Sequence, residues 1–381
     1  MDLRPEQLER QRRLRAVADA CGLAGVVALG RAFYDRPGPC AWLTGHYPPF
    51  LAAAPYPGLR GAGHAAFVLP VEGTTTLLCD PTGAREDLVS SDDIRSTDDL
   101  WEGLAHALRA RGLACGEVGI AGYDLLPAPV AAALARELPG LELRSFDAEV
   151  DRLRLRKTPN EQALLAQAAA CADAALAHAI EQLRRGASER EAASAGSAAA
   201  LAAGADHVRY LRVHSGVWSE RTARWPPALD RVPLEGELVM VDVIGARAGY
   251  AFDVARTIAL GEAPAAAREL LDACAAASDA GALACRAGAT VRDVLAAAHG
   301  VYEGAGLAAH ARAFGGHGIG IETVESPLLA AASGELELVA GMALCVEPGI
   351  AIPGIGGALI EHEVIVGEGA PRFLCVTPSL S

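Results

Sequence analysis

Apolar positions in the first part of the chain switch between helical and strand-like spacing. Leucine, valine and alanine recur at helical intervals from Pro5 to Cys21, and the apolar run from Leu23 to Leu29 between two glycines predicts a buried strand. The same criteria predict a short strand and turn at 41–45, a hairpin from 65–69 and 74–79, helices at 100–110 and 127–137, and strands at 118–121 and 141–144. This alternation predicts an α/β domain with a mixed sheet.

A charged connection at 147–160 separates this part from the rest of the chain. We place the domain boundary near residue 152, which gives domains 1–151 and 152–381. Thr158 and Glu161 match the N-cap and N3 positions of a capping box that starts a long alanine-rich helix. The second domain is further predicted to contain helices at 188–203, 264–283 and 290–304, a strand at 208–213, and a glycine-rich end made of short strands.

Two β-rich runs, 239–244 and 250–258, are joined by a short segment with two glycines and predict an antiparallel pair of strands. Asp242 and Asp253 lie in these runs among apolar residues, where an unpaired carboxylate is unfavourable. Pairing of the strands brings the two like charges together, and a divalent cation between them relieves the repulsion. The alternative is that each aspartate caps a turn or pairs with an arginine such as Arg247 or Arg256.

Composition indicates a globular protein, because 381 residues with a hydrophobic fraction of 51% supply a sizeable core. A formal net charge of -14 argues against binding to nucleic acid or to an anionic membrane, whose phosphates would repel the chain. Nine cysteines without CxxC spacing predict reduced thiols and a cytoplasmic protein, and the charged N-terminus does not read as a signal peptide. No uninterrupted apolar run has the length of a membrane span.

Three residues in the last part of the chain add candidate ligands. His317 lies between glycines that leave its imidazole accessible to a metal, although such a histidine is also common in turns. Glu347 and Glu361 each end an apolar strand, and a buried glutamate is rare unless it is paired or bound to metal. With the two aspartates they give four carboxylates and one imidazole, a set that suits Mn, Co, Fe or Zn and compensates two divalent ions. Two such ions would hold a water as hydroxide and bind the oxygens of a substrate.

The order and context of these residues resemble metallopeptidase family M24, the pita-bread metallohydrolases that include aminopeptidase P, prolidase, methionine aminopeptidase and creatinase. The resemblance implies a pita-bread fold for the second domain. It also implies metal ligation by Asp242, Asp253, His317, Glu347 and Glu361. Segments 41–45 and 154–161 are similar to those of the creatinase and prolidase branch, which implies a creatinase-like N-terminal domain and a homodimer.

Two histidines that contact substrate and move protons in this family have no counterpart here. Val324 occupies the position of one, and the segment 215–225, where the other is expected, contains none. An amide leaving group must be protonated as it departs, and a positioned acid contributes about 10² to 10⁴ in rate. We assign catalytic roles to His214, Glu325 and Glu347. The alternative for His214 is a structural residue at a strand edge.

Substrate-binding candidates lie in the loop after Ser215 and beside the second aspartate. We assign this role to Trp218, Arg221, Arg224 and Tyr250. An arginine can hold a substrate carboxylate through two parallel hydrogen bonds. A solvated loop is the alternative interpretation of this segment.

These patterns predict a metal-dependent hydrolase resembling Xaa-Pro aminopeptidase or prolidase, which cleaves a C–N bond in a short peptide or another small molecule. One alternative is a non-peptidase member of the same family, either a lyase resembling the dimethylsulfoniopropionate lyases or a creatinase-like amidinohydrolase. A further alternative is a binding module without catalysis. The retention of four carboxylates and a histidine argues against that last class.

Overall fold

A computed structural model of the protein describes residues 2–49, 60–220 and 224–379. The α-helices in these ranges are α1 (Arg4–Ala20), α2 (Gly38–Thr44), α3 (Leu100–Ala110), α4 (Ala128–Glu137), α5 (Asp147–Arg154), α6 (Pro159–Arg184), α7 (Glu189–Ala202), α8 (Ala265–Leu283) and α9 (Val291–Gly304). The strands are β1 (Gly25–Arg31), β2 (His64–Pro70), β3 (Thr76–Cys79), β4 (Ile94–Ser96), β5 (Cys115–Ala121), β6 (Gly140–Ser145), β7 (His207–Ser215), β8 (Leu238–Arg247), β9 (Tyr250–Ala259), β10 (Gly316–Gly318), β11 (Glu325–Leu328), β12 (Ala343–Val346), β13 (Ile350–Ile352), β14 (Gly356–Ala358), β15 (His362–Ile365) and β16 (Arg372–Phe373). The chain divides into two units, the first ending at Arg154 and the second beginning at Leu155.

The first unit contains a six-stranded sheet in the order β4-β3-β2-β1-β5-β6. Strands β1, β2 and β3 pair antiparallel, whereas β5 pairs in parallel with β1 and β6. Apolar residues from β1, β2, β5 and α3 form a buried cluster on this sheet. The predicted mixed sheet and the predicted hairpin of β2 and β3 are therefore confirmed.

Two segments of this unit differ from the prediction. Residues 38–44 form α2 instead of a strand and turn, with Pro39 in the first turn and Gly45 closing the helix at a φ of 76°. A left-handed φ favours glycine, which ends a helix at low cost. The segment 147–154, predicted as a charged connection, forms α5. Asp147 and Glu149 lie in its first turn and its basic residues in the last, where these charges complement the helix dipole.

The second unit is built on three sheets. One has the order β7-β8-β9, one has the order β11-β10-β12-β15-β16, and β13 pairs with β14. Alternate residues of β7, β8 and β9 form an apolar face that packs against α6 and α7 through residues such as Val241, Val243 and Val254. The opposite face of the same sheet carries polar side chains. Helices α8 and α9 pack against one another.

Helix α6 begins as the sequence predicts. The Thr158 side chain accepts a hydrogen bond from the backbone of Glu161, and the Glu161 carboxylate accepts one from the backbone of Thr158. The helix has the length and hydropathy of a membrane span, but 56% of its most apolar window is buried within the protein. Its apolar residues are therefore accounted for by packing on β8 and β9.

Candidate metal centre

Asp242 and Asp253 lie on the polar face of the β7-β8-β9 sheet. Strands β8 and β9 pair antiparallel, with Asp242 opposite Ala255 and Ile244 opposite Asp253. Because side chains alternate along a strand, this register makes the two aspartates diagonal neighbours on one face. The predicted antiparallel pair and the proximity of the two aspartates are confirmed.

His317 lies on β10 and reaches the same group of carboxylates. Its Nδ1 lies 3.0 Å from the carbonyl oxygen of Gly318. When Nδ1–H donates to this oxygen, Nε2 is left with its lone pair free for a metal. Nε2 lies 3.7 Å from Oδ2 of Asp253 and 3.4 Å from Oε1 of Glu347.

Main-chain hydrogen bonds position the two glutamates. The N–H of Glu347 donates to the carbonyl oxygen of Gly315, two residues before His317. The N–H of Glu361 donates to the carbonyl oxygen of Ala255, opposite Asp242. Each glutamate is thus tied to a strand that carries another predicted ligand.

The guanidinium of Arg256 holds the backbone next to these ligands in place. It donates to the main-chain oxygen of Glu361 at 2.5 Å and to that of Thr377 at 2.6 Å. Arg256 therefore holds the backbone of a predicted ligand. Contrary to the alternative interpretation of the sequence, it forms no ion pair with either aspartate among the described residues.

The geometry of the carboxylates fits a divalent metal. One oxygen each from Asp242, Asp253 and Glu361 lie within 4.8 Å of one another. Oδ1 of Asp242 and Oε1 of Glu361 are buried and have no hydrogen-bond partner among the described residues. A buried acceptor without a partner is unfavourable, and a cation removes that penalty.

Burial and mutual repulsion act on the ionisation of these groups. Burial, with the nearby charges of Asp242 and Glu347, raises the pKa of Asp253 well above its usual range. Burial, with the charges of Asp253 and Glu347, has the same effect on the pKa of Glu361. A divalent cation reverses this balance because it stabilises the ionised carboxylates. The structure thus brings all five predicted ligands together, and metal binding by them stays a prediction.

Two residues next to these ligands went unrecognised as part of the site in the sequence. Cys345 lies opposite His317 in the pairing of β10 with β12, and its Sγ lies within 4.8 Å of ligand atoms of His317 and Glu361. Arg212 lies opposite Asp242 in the pairing of β7 with β8 and donates to its Oδ2 at 2.6 Å. Cys345 precedes Glu347 by two residues, and the period of a strand signals that it shares a face with that ligand. No comparable signal in the sequence reveals Arg212, because its contact with Asp242 depends on the pairing of segments that are distant in the sequence.

The predicted catalytic residue His214 shares the polar face of the sheet. It lies on β7 two residues after Arg212, so its side chain projects from the same face as Asp242. The imidazole is buried, with Nε2 3.3 Å from the carbonyl oxygen of Pro226. Its role in proton transfer stays a prediction.

Glu325, a second predicted catalytic residue, forms a buried ion pair. Its Oε2 accepts a hydrogen bond from Nζ of Lys157 at 3.0 Å, and its Oε1 accepts one from the N–H of Glu322 at 3.1 Å. Both carboxylate oxygens therefore have protein partners. Glu325 lies next to the strand of His317, because it pairs with Gly318. This geometry gives Glu325 a structural role, and a catalytic one stays untested.

The assignment of Tyr250 to substrate binding conflicts with the structure. The side chain is 1% exposed, and its hydroxyl donates to Oε1 of Glu161 on α6. Tyr250 and Asp253 are three positions apart on β9, so alternation sends them to opposite faces of the sheet. Tyr250 belongs to the helix-covered face and not to the site.

Two substrate-binding candidates in the loop after Ser215, Trp218 and Arg224, form an exposed contact. The guanidinium of Arg224 lies over the ring of Trp218, 5.4 Å from its centroid, and Trp218 is half exposed. Such a cation–π pair keeps the guanidinium near the ring. Arg221 lies outside the described residues. Substrate binding by these residues stays a prediction.

Comparison with known proteins gives consistent matches over this chain. A family model described as metallopeptidase family M24 matches residues 163–368. The probable dipeptidase PepE of Mycobacterium tuberculosis is 34% identical over an alignment of 279 residues, which covers 68% of this chain and 74% of that protein. The family match extends over the five predicted ligands.

Solved structures match nearly the whole chain. Dipeptidase PepE from Mycobacterium ulcerans superimposes with a TM-score of 0.80 and 30% identity, covering 98% of this chain and 96% of that one. The Xaa-Pro dipeptidase from Bacillus anthracis gives a TM-score of 0.81 and 26% identity, covering 98% of this chain and all of that one (100%).

Proposed function

The chain belongs to metallopeptidase family M24, and from this membership we propose that it hydrolyses the amide bond of dipeptides, including Xaa-Pro dipeptides. It is a hydrolase with the α/β pita-bread fold of that family. The names of its relatives, dipeptidase and Xaa-Pro dipeptidase, support the size and type of substrate. The convergence of His317 and four carboxylates is the observation that carries the proposal.

The ligand set supports a centre of two divalent ions, with Mn, Co, Fe and Zn as the candidates. We assign the binding of these ions to Asp242, Asp253, His317, Glu347 and Glu361. When bound, the ions activate a water and polarise the carbonyl of the scissile amide. The protein contributes the fixed positions of the donors and a site that burial shields from bulk water.

Glu347 is the residue that we assign to proton transfer. Its side chain is 16% exposed, whereas those of Asp253 and Asp242 are 9% and 5% exposed. A carboxylate that remains open to solvent beside the site can take a proton from the attacking water and return it to the leaving amine. His214 is a second candidate, on the same sheet face.

We also propose a homodimer and a cytoplasmic location. The dimer rests on the family resemblance of the N-terminal domain. The location rests on nine cysteines that all carry free thiols.

The substrate proposal is tested with chelator-treated protein that is reloaded with Mn²⁺, Co²⁺ or Zn²⁺. Release of free amino acids is measured for a panel of Xaa-Pro dipeptides, dipeptides without proline, and an Xaa-Pro tripeptide. Cleavage of dipeptides that depends on metal supports the proposal. Full metal occupancy with no cleavage of any dipeptide would reject it.

A further inference from the structure

Arg212 places a positive charge inside the group of metal-binding carboxylates. It lies on β7 directly opposite Asp242 on β8, and its Nη1 donates to Oδ2 of Asp242 at 2.6 Å. The two side chains are 18% and 5% exposed, so solvent screens their attraction only weakly. The guanidinium also lies over the ring of Tyr210, 4.8 Å from its centroid, which holds it on this face of the sheet.

This contact engages only one of the two oxygens of Asp242. Oδ2 is engaged by Arg212, while Oδ1 is buried and has no hydrogen-bond partner among the described residues. A metal bound to Asp242 would therefore lie close to the positive charge of Arg212 and would be repelled by it. The guanidinium also offsets one of the four carboxylate charges, so the net negative charge that attracts a second divalent cation is smaller.

The other side of the centre has a different environment. Oδ2 of Asp253 and Oε1 of Glu347 lie beside Nε2 of His317. A neutral imidazole is a metal ligand and adds no opposing charge. The two sides thus differ in charge although their carboxylates are close together.

We propose that Arg212 is an internal counter-cation for Asp242 that weakens the binding of one metal ion. The first divalent ion binds on the side of His317 and Glu347, and the second binds on the side of Asp242 in competition with Arg212. This inference rests on the proposed function, because it requires a two-ion centre. It assigns Arg212 as a positioning residue for the metal.

The test is titration of chelator-treated protein with Co²⁺ by isothermal calorimetry, with bound metal counted by mass spectrometry. We expect one tight and one weak ion in the wild-type protein. In Arg212→Met the second ion tightens by at least about 10-fold, because the variant removes a positive charge close to that ion. Arg212→Lys keeps the charge and retains the weak second ion.

Two further variants control for packing and for overall charge. Arg212→Gln keeps a hydrogen-bond donor without the charge, and it replaces the methionine variant if that protein fails to fold. Arg209→Met removes a charge from the same strand, where Arg209 contacts the ring of Tyr210. We expect the Arg209 variant to bind both ions as the wild-type protein does.

Equal affinity for two ions in the wild-type protein would overturn the inference and leave the proposed function intact. Unchanged affinity of the second ion in both Arg212→Met and Arg212→Gln would do the same. Absence of Co²⁺ binding in the folded wild-type protein would overturn the inference and the proposed function together.

Discussion

The backbone N–H of Asp253 donates to Oε1 of Glu363 across 2.7 Å, so a second carboxylate supports a predicted metal ligand. Glu363 is fully buried, and its Oε2 has no hydrogen-bond partner among the described residues. Burial raises the pKa of Glu363 to about 8. Without metal, the interior of this unit therefore holds several carboxyl groups that resist ionisation.

The first prediction concerns the pH dependence of stability without metal. Burial raises the pKa of Glu363 from its ordinary value of 4.5 to about 8 and also raises those of Asp253 and Glu361. Between the ordinary and the raised pKa of Glu363, the folded state binds more protons than the unfolded state. The stability of the folded state therefore falls as pH rises. We expect the Tm of chelator-treated protein to decrease from about pH 5 to about pH 8, and metal to reduce the decrease. Differential scanning calorimetry measures this effect.

Glu363→Gln tests the contribution of that residue. A neutral amide removes one titrating group, so the slope of Tm against pH becomes shallower. The exposed Glu269 on α8 provides the control variant Glu269→Gln, for which the slope is unchanged. A flat profile in the metal-free wild-type protein would contradict the prediction.

The second prediction concerns Tyr250. Tyr250→Phe removes the hydroxyl that donates to Glu161 but keeps the buried ring. We expect a loss of about 1 kcal/mol in the free energy of unfolding, the typical contribution of one hydrogen bond. Urea denaturation measures the loss, and dipeptide kinetics are measured in parallel. KM stays unchanged if Tyr250 is structural, whereas a several-fold increase in KM at unchanged stability would restore its role in substrate binding.

The third prediction concerns the buried pair of Lys157 and Glu325. Lys157→Met leaves the Glu325 carboxylate buried beside an apolar side chain, and removal of one partner from a buried pair is destabilising by about 3 to 5 kcal/mol. Adding Glu325→Gln to this variant recovers a large part of the loss, because the buried negative charge that Lys157 balanced is removed as well. A double-mutant cycle by urea denaturation measures the coupling. Additive effects of the two substitutions would show that the pair is not coupled.

The fourth prediction concerns Val324, which is exposed in the turn between β10 and β11. Valine cannot donate a proton to a leaving amine. Val324→His supplies a group that titrates near neutral pH, and we expect kcat for dipeptides to rise by at least about 10-fold, below the 10² to 10⁴ of a fully positioned acid. Val324→Ala is the matched control and leaves kcat unchanged. Equal kcat in the histidine and alanine variants would mean that this position takes no part in proton transfer.

Local features of this fold and the candidate metal ligands can be predicted from the sequence. The hairpin of β8 and β9 and the capping box at Thr158 follow from strand period and cap chemistry, and both are present. The sequence predicts a strand in place of α2 because all seven residues of this helix are buried. No polar face therefore reveals the helical period. Tyr250 was placed in the site because of its nearness to Asp253, although the odd spacing already assigns the two to opposite faces.

Contacts between distant strands could not be predicted in this way. The ion pair of Arg212 with Asp242 depends on the register of β7 against β8, which includes a shift between Val208 and Tyr210. A shift of one residue changes the face on which every later side chain lies. The sequence therefore indicates the candidate metal ligands more readily than the charges that surround them.

Anomalous diffraction from crystals of Mn²⁺-loaded protein is the most direct test of the metal centre. The account predicts an anomalous peak that is within bonding distance of Nε2 of His317 and of oxygens from Asp253, Glu347 and Glu361. At higher Mn²⁺ concentration it predicts a second peak on the side of Asp242. A protein that cleaves dipeptides but shows no peak among these five residues, or shows it elsewhere, would contradict the central claim.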